Sequence, residues 1–126
     1  VPTTATVLIG EYDDDVRDAF ARLFRRAGYQ VLTASDPLSV LDTASREQPD
    51  MVVLNLRDDD GPNACRALRA DGRTQATRIL MLTADLYPDA DAAAAAGADA
   101  YMAKPMNNDD LLHQVRRLLT VETGRG

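Results

Sequence analysis

Five short apolar runs alternate with amphipathic stretches along the chain, and this alternation restricts the fold more than any other feature. The runs are ATVLIG (5–10), YQVLTA (29–34), MVVLNL (51–56), RILMLTA (78–84) and DAYMAK (99–104). Most are apolar almost throughout, as strands covered on both faces should be. Between them the apolar spacing becomes helical. Val16, Phe20, Leu23, Phe24 and Ala27 share one face, and Gly28 follows as a C-terminal stop. Asp36-Pro37 gives an N-cap and a first-turn proline to a helix carrying Leu38, Leu41 and Ala44. Leu111, Leu112, Val115, Leu118 and Leu119 recur behind the Asn107-Asn108 cap region. Strict alternation of strand and helix implies parallel strands joined by right-handed crossovers, with helices on both faces. The expected fold class is α/β, a doubly wound sheet.

A chain of 126 residues is one domain's worth. The expected division is a domain over 1–121, with 122–126 as a tail or the start of a linker; both ends read as cut or processed. The formal net charge is −6, and arginine supplies nearly all the positive charge. No segregated basic patch is visible, so direct nucleic-acid binding by this segment is not expected. Arg25-Arg26 and Arg116-Arg117 are expected near helix C-termini, where positive charge suits the dipole. Cys65 is the only cysteine, which excludes an internal disulfide and multi-cysteine metal sites and makes a cytoplasmic setting the default. No run approaches the roughly 18–20 apolar residues of a membrane span, and no signal-peptide pattern opens the chain. One biased segment, DADAAAAAGA (89–98), favours a helix that buries little. It reads either as a thinly packed surface helix or as one able to shift or to keep a partner surface open.

In an open α/β sheet the working site lies at the carboxyl ends of the strands. After the first strand comes Glu11-Tyr12-Asp13-Asp14-Asp15, and Asn55 ends the third. Thr83-Ala84 ends the fourth, and Lys104-Pro105, with the only lysine in the chain, the fifth. The trio Asp13–Asp15 opens a helix, where acids serve as N-cap and dipole partners. Asp58, Asp59 and Asp60 precede Gly61-Pro62 and read as a solvated turn. Cys65 reads as packing, and His113 as a surface residue of the last helix.

These pieces, in order, resemble the receiver domain of bacterial two-component response regulators over almost the full length. VLIGEYDDDVRDAF is similar to that family's first strand and acidic turn, PDMVVLNL to the run ending in its phosphoacceptor, and MLTA and AYMAKP to its threonine and lysine-proline signatures. The resemblance implies a flavodoxin-like, five-stranded parallel sheet with five helices and strand order 2-1-3-4-5. It places Asn55 on the phosphoacceptor position, Glu11 and Tyr12 on the acidic, metal-holding pair, and Thr83, Tyr101, Lys104 and Pro105 on the switch positions. The loop NLRDDDG after Asn55 is about two residues shorter than the family's usual pattern and lacks its proline.

The departures bear directly on the chemistry. A carboxylate can attack phosphorus and form an acyl phosphate; the neutral, delocalised amide of Asn55 cannot. Mg²⁺ is usually held through one or two carboxylates, and of the three positions only Glu11 retains one. The expectation is a degenerate receiver: not an enzyme, not phosphorylated by the aspartyl-phosphate route, with no cofactor and with Mg²⁺ binding weak or absent. Its Lys104 ammonium is expected on the Asn55 amide oxygen, on Glu11, or on both. The expected partner is another protein or a second copy, bound through the alanine-rich helix 88–97, strand 99–103 and last helix 108–120, with an attached output domain, for example in transcription. Two alternatives stay open: a small-molecule ligand gating the vacated strand-end pocket, and a conventional phosphorylated receiver with an engineered or eccentric site.

Overall fold

Each apolar run becomes a strand, and every strand pairs in parallel. The structure, a computed structural model, describes residues 4–57, 59–83, 94–104 and 106–124. The elements are β1 (Thr6–Glu11), α1 (Asp14–Arg26), β2 (Gln30–Ala34), α2 (Pro37–Glu47), β3 (Met51–Asn55), α3 (Asp60–Ala70) and β4 (Arg78–Thr83). After them come α4, described only over residues 94–96, then β5 (Ala100–Ala103) and α5 (Asn108–Gly124). The sheet order is β2-β1-β3-β4-β5, as the family resemblance implies. Residues 84–93, and with them most of the alanine-rich segment, lie outside the described residues.

The continuous apolar runs are explained by where alternate residues go. In the central strands Leu8, Val52, Leu54, Ile79 and Met81 face one layer, with Val40 and Ala44 of α2 and Ala64, Cys65 and Leu68 of α3. Their neighbours Val7, Ile9, Met51, Val53, Leu80 and Leu82 face the other, with Phe24 of α1 and Leu111, Val115 and Leu118 of α5. All five residues of β3 are buried. Each such leucine, isoleucine or valine contributes about 1.5–3 kcal/mol relative to exposure, so the two covered faces, and no single contact, dominate the fold.

The helix starts follow their capping residues. The Asp13 carboxylate accepts the Val16 N–H at 3.0 Å, and Asp14 and Asp15 occupy the first turn of α1. Arg25 and Arg26 sit in its last turn, as expected, and Gly28 follows the Ala27 cap. In α2, Asp36 accepts the Ser39 N–H at 2.8 Å, the Ser39 hydroxyl accepts the Asp36 N–H at 3.2 Å, and Pro37 opens the first turn. Hydrogen bonds to the carboxylate from Ser39, its backbone N–H first and its hydroxyl second, hold the Asp36 carboxyl below its ordinary range.

The structure departs from several of these expectations. Leu38, assigned to the buried stripe of α2, is 79% exposed, and Val16, assigned to the apolar face of α1, is 36% exposed; each lies in the first turn of its helix. Asp59 lies in the expected exposed turn, closed by the Asp60 N–H on the Arg57 carbonyl at 2.8 Å, but Asp60 already opens α3, with Gly61 and Pro62 in its first turn, where a proline lacks no needed donor. Arg116 and Arg117 lie mid-helix, since α5 continues to Gly124. The same continuation makes residues 122–124 helical.

Candidate functional site

β1 and β3 lie side by side in the middle of the sheet, and the last rung of their pairing sets Glu11 opposite Asn55. Both side chains are buried, at 1% and 4% exposure. Just below them α2 approaches β1 closely. A Cβ on Gly10 would stand 2.8 Å from a Val40 methyl, so only glycine admits this contact without displacing it. The Asn55 Nδ2 group donates a short hydrogen bond to Glu11 Oε1. The other Glu11 oxygen accepts the Asp13 N–H at 2.9 Å, which ties the carboxylate to the residue that caps α1. Arg17 donates to the Glu11 carbonyl at 3.0 Å and pairs with Asp14 at 2.5 Å. Thus Glu11, assigned from sequence as one of an acidic pair, has each carboxylate oxygen committed to a donor of the chain.

Tyr12, at the second position of that pair, turns outward and is 43% exposed. The guanidinium of Arg57, on the loop after β3, lies over its ring, 4.8 Å from the centroid. Arg57 was missed by sequence reasoning. It could have been found from spacing, because it stands two residues beyond Asn55 as Tyr12 stands one beyond Glu11.

The remaining assigned residues cluster on β4 and β5. The Lys104 N–H donates to the Thr83 carbonyl at 2.7 Å, continuing the parallel ladder in which Thr83 faces Ala103. Thr83 and Lys104 are half-buried. Tyr101 is half-buried too, aligned with Met81 and packed against the layer that includes Leu68 and Ala96. The expected Lys104 contacts are corrected. Among the described residues its ammonium makes no hydrogen bond or ion pair with Glu11 or Asn55; Glu11 takes its donors instead from the Asn55 amide and the Asp13 N–H. Pro105 and Asp58 lie outside the described residues.

Of the expected partner surface, β5 is half-buried along its length. Asn108, Asp109, Asp110, His113, Arg116 and Arg117 of α5 are exposed, which places His113 where the sequence did. Cys65 is fully buried on α3, and burial pushes its thiol up, so packing is its role. Among the described residues no group of three His, Cys, Asp or Glu side chains is placed to hold a metal ion. None of the helices, over the described residues, is long and apolar enough to cross a membrane.

With this geometry in place, comparison with known proteins is specific. The family model described as "Response regulator receiver domain" matches residues 7–116. The response regulator MprA of Mycobacterium leprae is 38% identical over 112 residues, 85% of this chain and 48% of that protein. The MprA of Mycolicibacterium vanbaalenii is 36% identical over 126 residues, 95% of this chain and 54% of that protein. The chain thus spans about half the length of these curated relatives. Among solved structures, the chemotaxis response regulator CheY4 of Vibrio cholerae superposes with a TM-score of 0.84 at 29% identity, covering 92% of this chain and 99% of that one. The receiver domain of the sensor histidine kinase PA1611 of Pseudomonas aeruginosa, which has a magnesium ion coordinated in its active-site cleft, gives 0.83 at 26%, covering 94% and 99%.

Proposed function

Because this chain belongs to the response regulator receiver domain family, a family of two-component signalling, we propose that it is an atypical receiver, one that signals by protein contact without forming an aspartyl phosphate. One observation carries the reading. The side chain at the buried end of the central strand β3 is an amide, and it spends its N–H on Glu11, its partner in the last rung. An amide nitrogen has no free lone pair and an amide oxygen is a weak nucleophile, so neither attacks phosphorus under ordinary conditions.

The residues present do not fit Mg²⁺ either. That ion seeks six oxygens in near-octahedral geometry and gives up water reluctantly. Here one Glu11 oxygen is taken by the Asn55 amide and the other by the Asp13 N–H. The Asn55 group aimed at Glu11 is a donor, and Tyr12 offers a neutral phenol, facing outward. No step of phosphoryl transfer is therefore routed through this site, and the module is not an enzyme. What remains is a scaffold with Thr83, Tyr101, Lys104 and Pro105 at the switch positions. It acts in the cytoplasm on a protein partner, or on a second copy, through residues 88–97, 99–103 and 108–120. Since the relatives are about twice as long, an output module, for example in transcription, is part of the same reading. A small-molecule ligand at the strand ends would have to displace both the Glu11–Asn55 bond and the Tyr12–Arg57 stack, so protein contact is the favoured input.

The test is intact mass after incubation with acetyl phosphate and Mg²⁺. The expected spectrum is unchanged, and a gain of about 80 Da, the mass of one phosphoryl group, overturns the proposal.

A further inference from the structure

The two loops above the Glu11–Asn55 pair are joined by a contact that the receiver reading leaves unexplained. Tyr12 follows Glu11 directly and Arg57 stands two beyond Asn55, so the last rung of the β1–β3 ladder is succeeded on both strands by a member of the stack. The ring and the guanidinium are both exposed, while the pair beneath them is buried. The stack therefore joins the loops that follow β1 and β3 on the exposed side of the buried pair. Arg57 makes no ion pair with a described carboxylate, and its one aromatic platform is Tyr12. The other arginine nearby, Arg17, is committed to the Glu11 carbonyl and to Asp14.

Resting on the reading that this site is not phosphorylated, we infer that Arg57 is its resident cation and that Arg57 with Tyr12, not Asn55 alone, decides which cations the site accepts. The chemistry of the platform supports this. An aromatic face attracts a planar, weakly hydrated guanidinium and is a poor partner for a small, strongly hydrated divalent ion, whereas a carboxylate at the same position has the reverse preference. A positive charge fixed to the β3 loop also repels an incoming divalent ion, and at an exposed position salt screens that repulsion. Two loops that would otherwise need an ion to bridge them are bridged by a side chain already attached to one of them. Restoring the acceptor carboxylate alone then leaves a site that still rejects the metal.

The experiment uses Mn²⁺ as the probe, by titration calorimetry, on the Asn55→Asp chain with and without further substitutions, each checked for its fold by circular dichroism. Adding Arg57→Ala should tighten Mn²⁺ binding by about threefold to tenfold at low ionic strength, with the gain shrinking in high salt. Arg57→Lys, which keeps the charge, should give much less of that gain. Adding Tyr12→Asp should give a larger one, and an acetyl phosphate adduct should grow in the same order. Equal Mn²⁺ affinity with and without Arg57, or a gain insensitive to salt, overturns the inference. Its failure is distinct from failure of the parent reading, which falls only if the unsubstituted chain acquires the phosphoryl mass.

Discussion

At the amino ends of the strands polar side chains bond to backbone, whereas at the carboxyl ends the functional side chains bond largely to one another. Arg69, near the end of α3, donates to the carbonyls of Gly97, Gln75 and Thr77 at 2.8, 2.8 and 2.5 Å and pairs with Asp99 at 2.8 Å. Gly97 serves this hub, for a Cβ there would stand 2.7 Å from Arg69 Cγ. Asp99 in turn accepts the Ile79 N–H at 2.8 Å. At the opposite end Glu11 holds Asn55 and Tyr12 carries Arg57. Backbone acceptors are the same whatever the residue, so the amino end survives sequence change only if Arg69 and Asp99 stay. Side-chain pairs at the carboxyl end can be exchanged for other pairs without loosening the sheet, and that freedom is where a receiver site can lose its acceptor and keep its fold.

Four substitutions would break or sharpen this contrast. Arg69→Ala strands several partly buried carbonyls and the Asp99 carboxylate. It should cost about 2–3 kcal/mol and lower Tm by roughly 6–12 °C, against less than about 1 kcal/mol for Glu11→Gln; equal losses in urea and thermal melts would erase the distinction. Asn55→Asp presses a second carboxylate against Glu11 in a buried site and should cost about 1–2 kcal/mol near neutral pH. Crowded carboxylates keep a proton in the folded chain that the unfolded chain releases above about pH 4, so the variant's stability should decline from pH 4 toward 7. Melts that are flat across that interval would show that the end relaxes freely. The smallest effect is a gain. Gln48, just ahead of β3, is the C-cap of α2 and lies in the left-handed region, with φ of 49°. Gln48→Gly should add about 0.5–1 kcal/mol, and a loss in the same melts would mean that the glutamine side chain supports that cap.

The sheet and its partners were legible because β3 and β4 are covered on both sides, which leaves runs such as MVVL and ILML with no other explanation. Glu11, Asn55 and Thr83 were legible as strand-end residues once the strands were placed. What escaped has a physical reason in each case. Leu38 follows helical spacing but sits in the first turn of α2, and spacing does not say whether a neighbour covers that turn. Arg69 and Arg57 drew no expectation at all, because an arginine bonded to carbonyls or to a ring looks in sequence like any other. Lys104 was given a partner that Glu11 had already found in Asn55.

The doubly covered sheet has one further consequence. Sliding β1 past β3 by a single residue would exchange Leu8 for Ile9 and Val52 for Val53, and every side chain would still meet apolar neighbours. Greasiness alone thus cannot choose the alignment. Asp50, just ahead of β3, chooses it: its side chain takes the Thr6 N–H at 2.8 Å and its own N–H goes to the Thr6 carbonyl at 2.9 Å, and Asp99, just ahead of β5, clasps Ile79 of β4 in the same way at 2.8 and 2.9 Å. Each is a reciprocal clasp that closes only in one position, so a pair of exposed acids, one between β1 and β3 and one between β4 and β5, settles the alignment of an interior that would accept more than one.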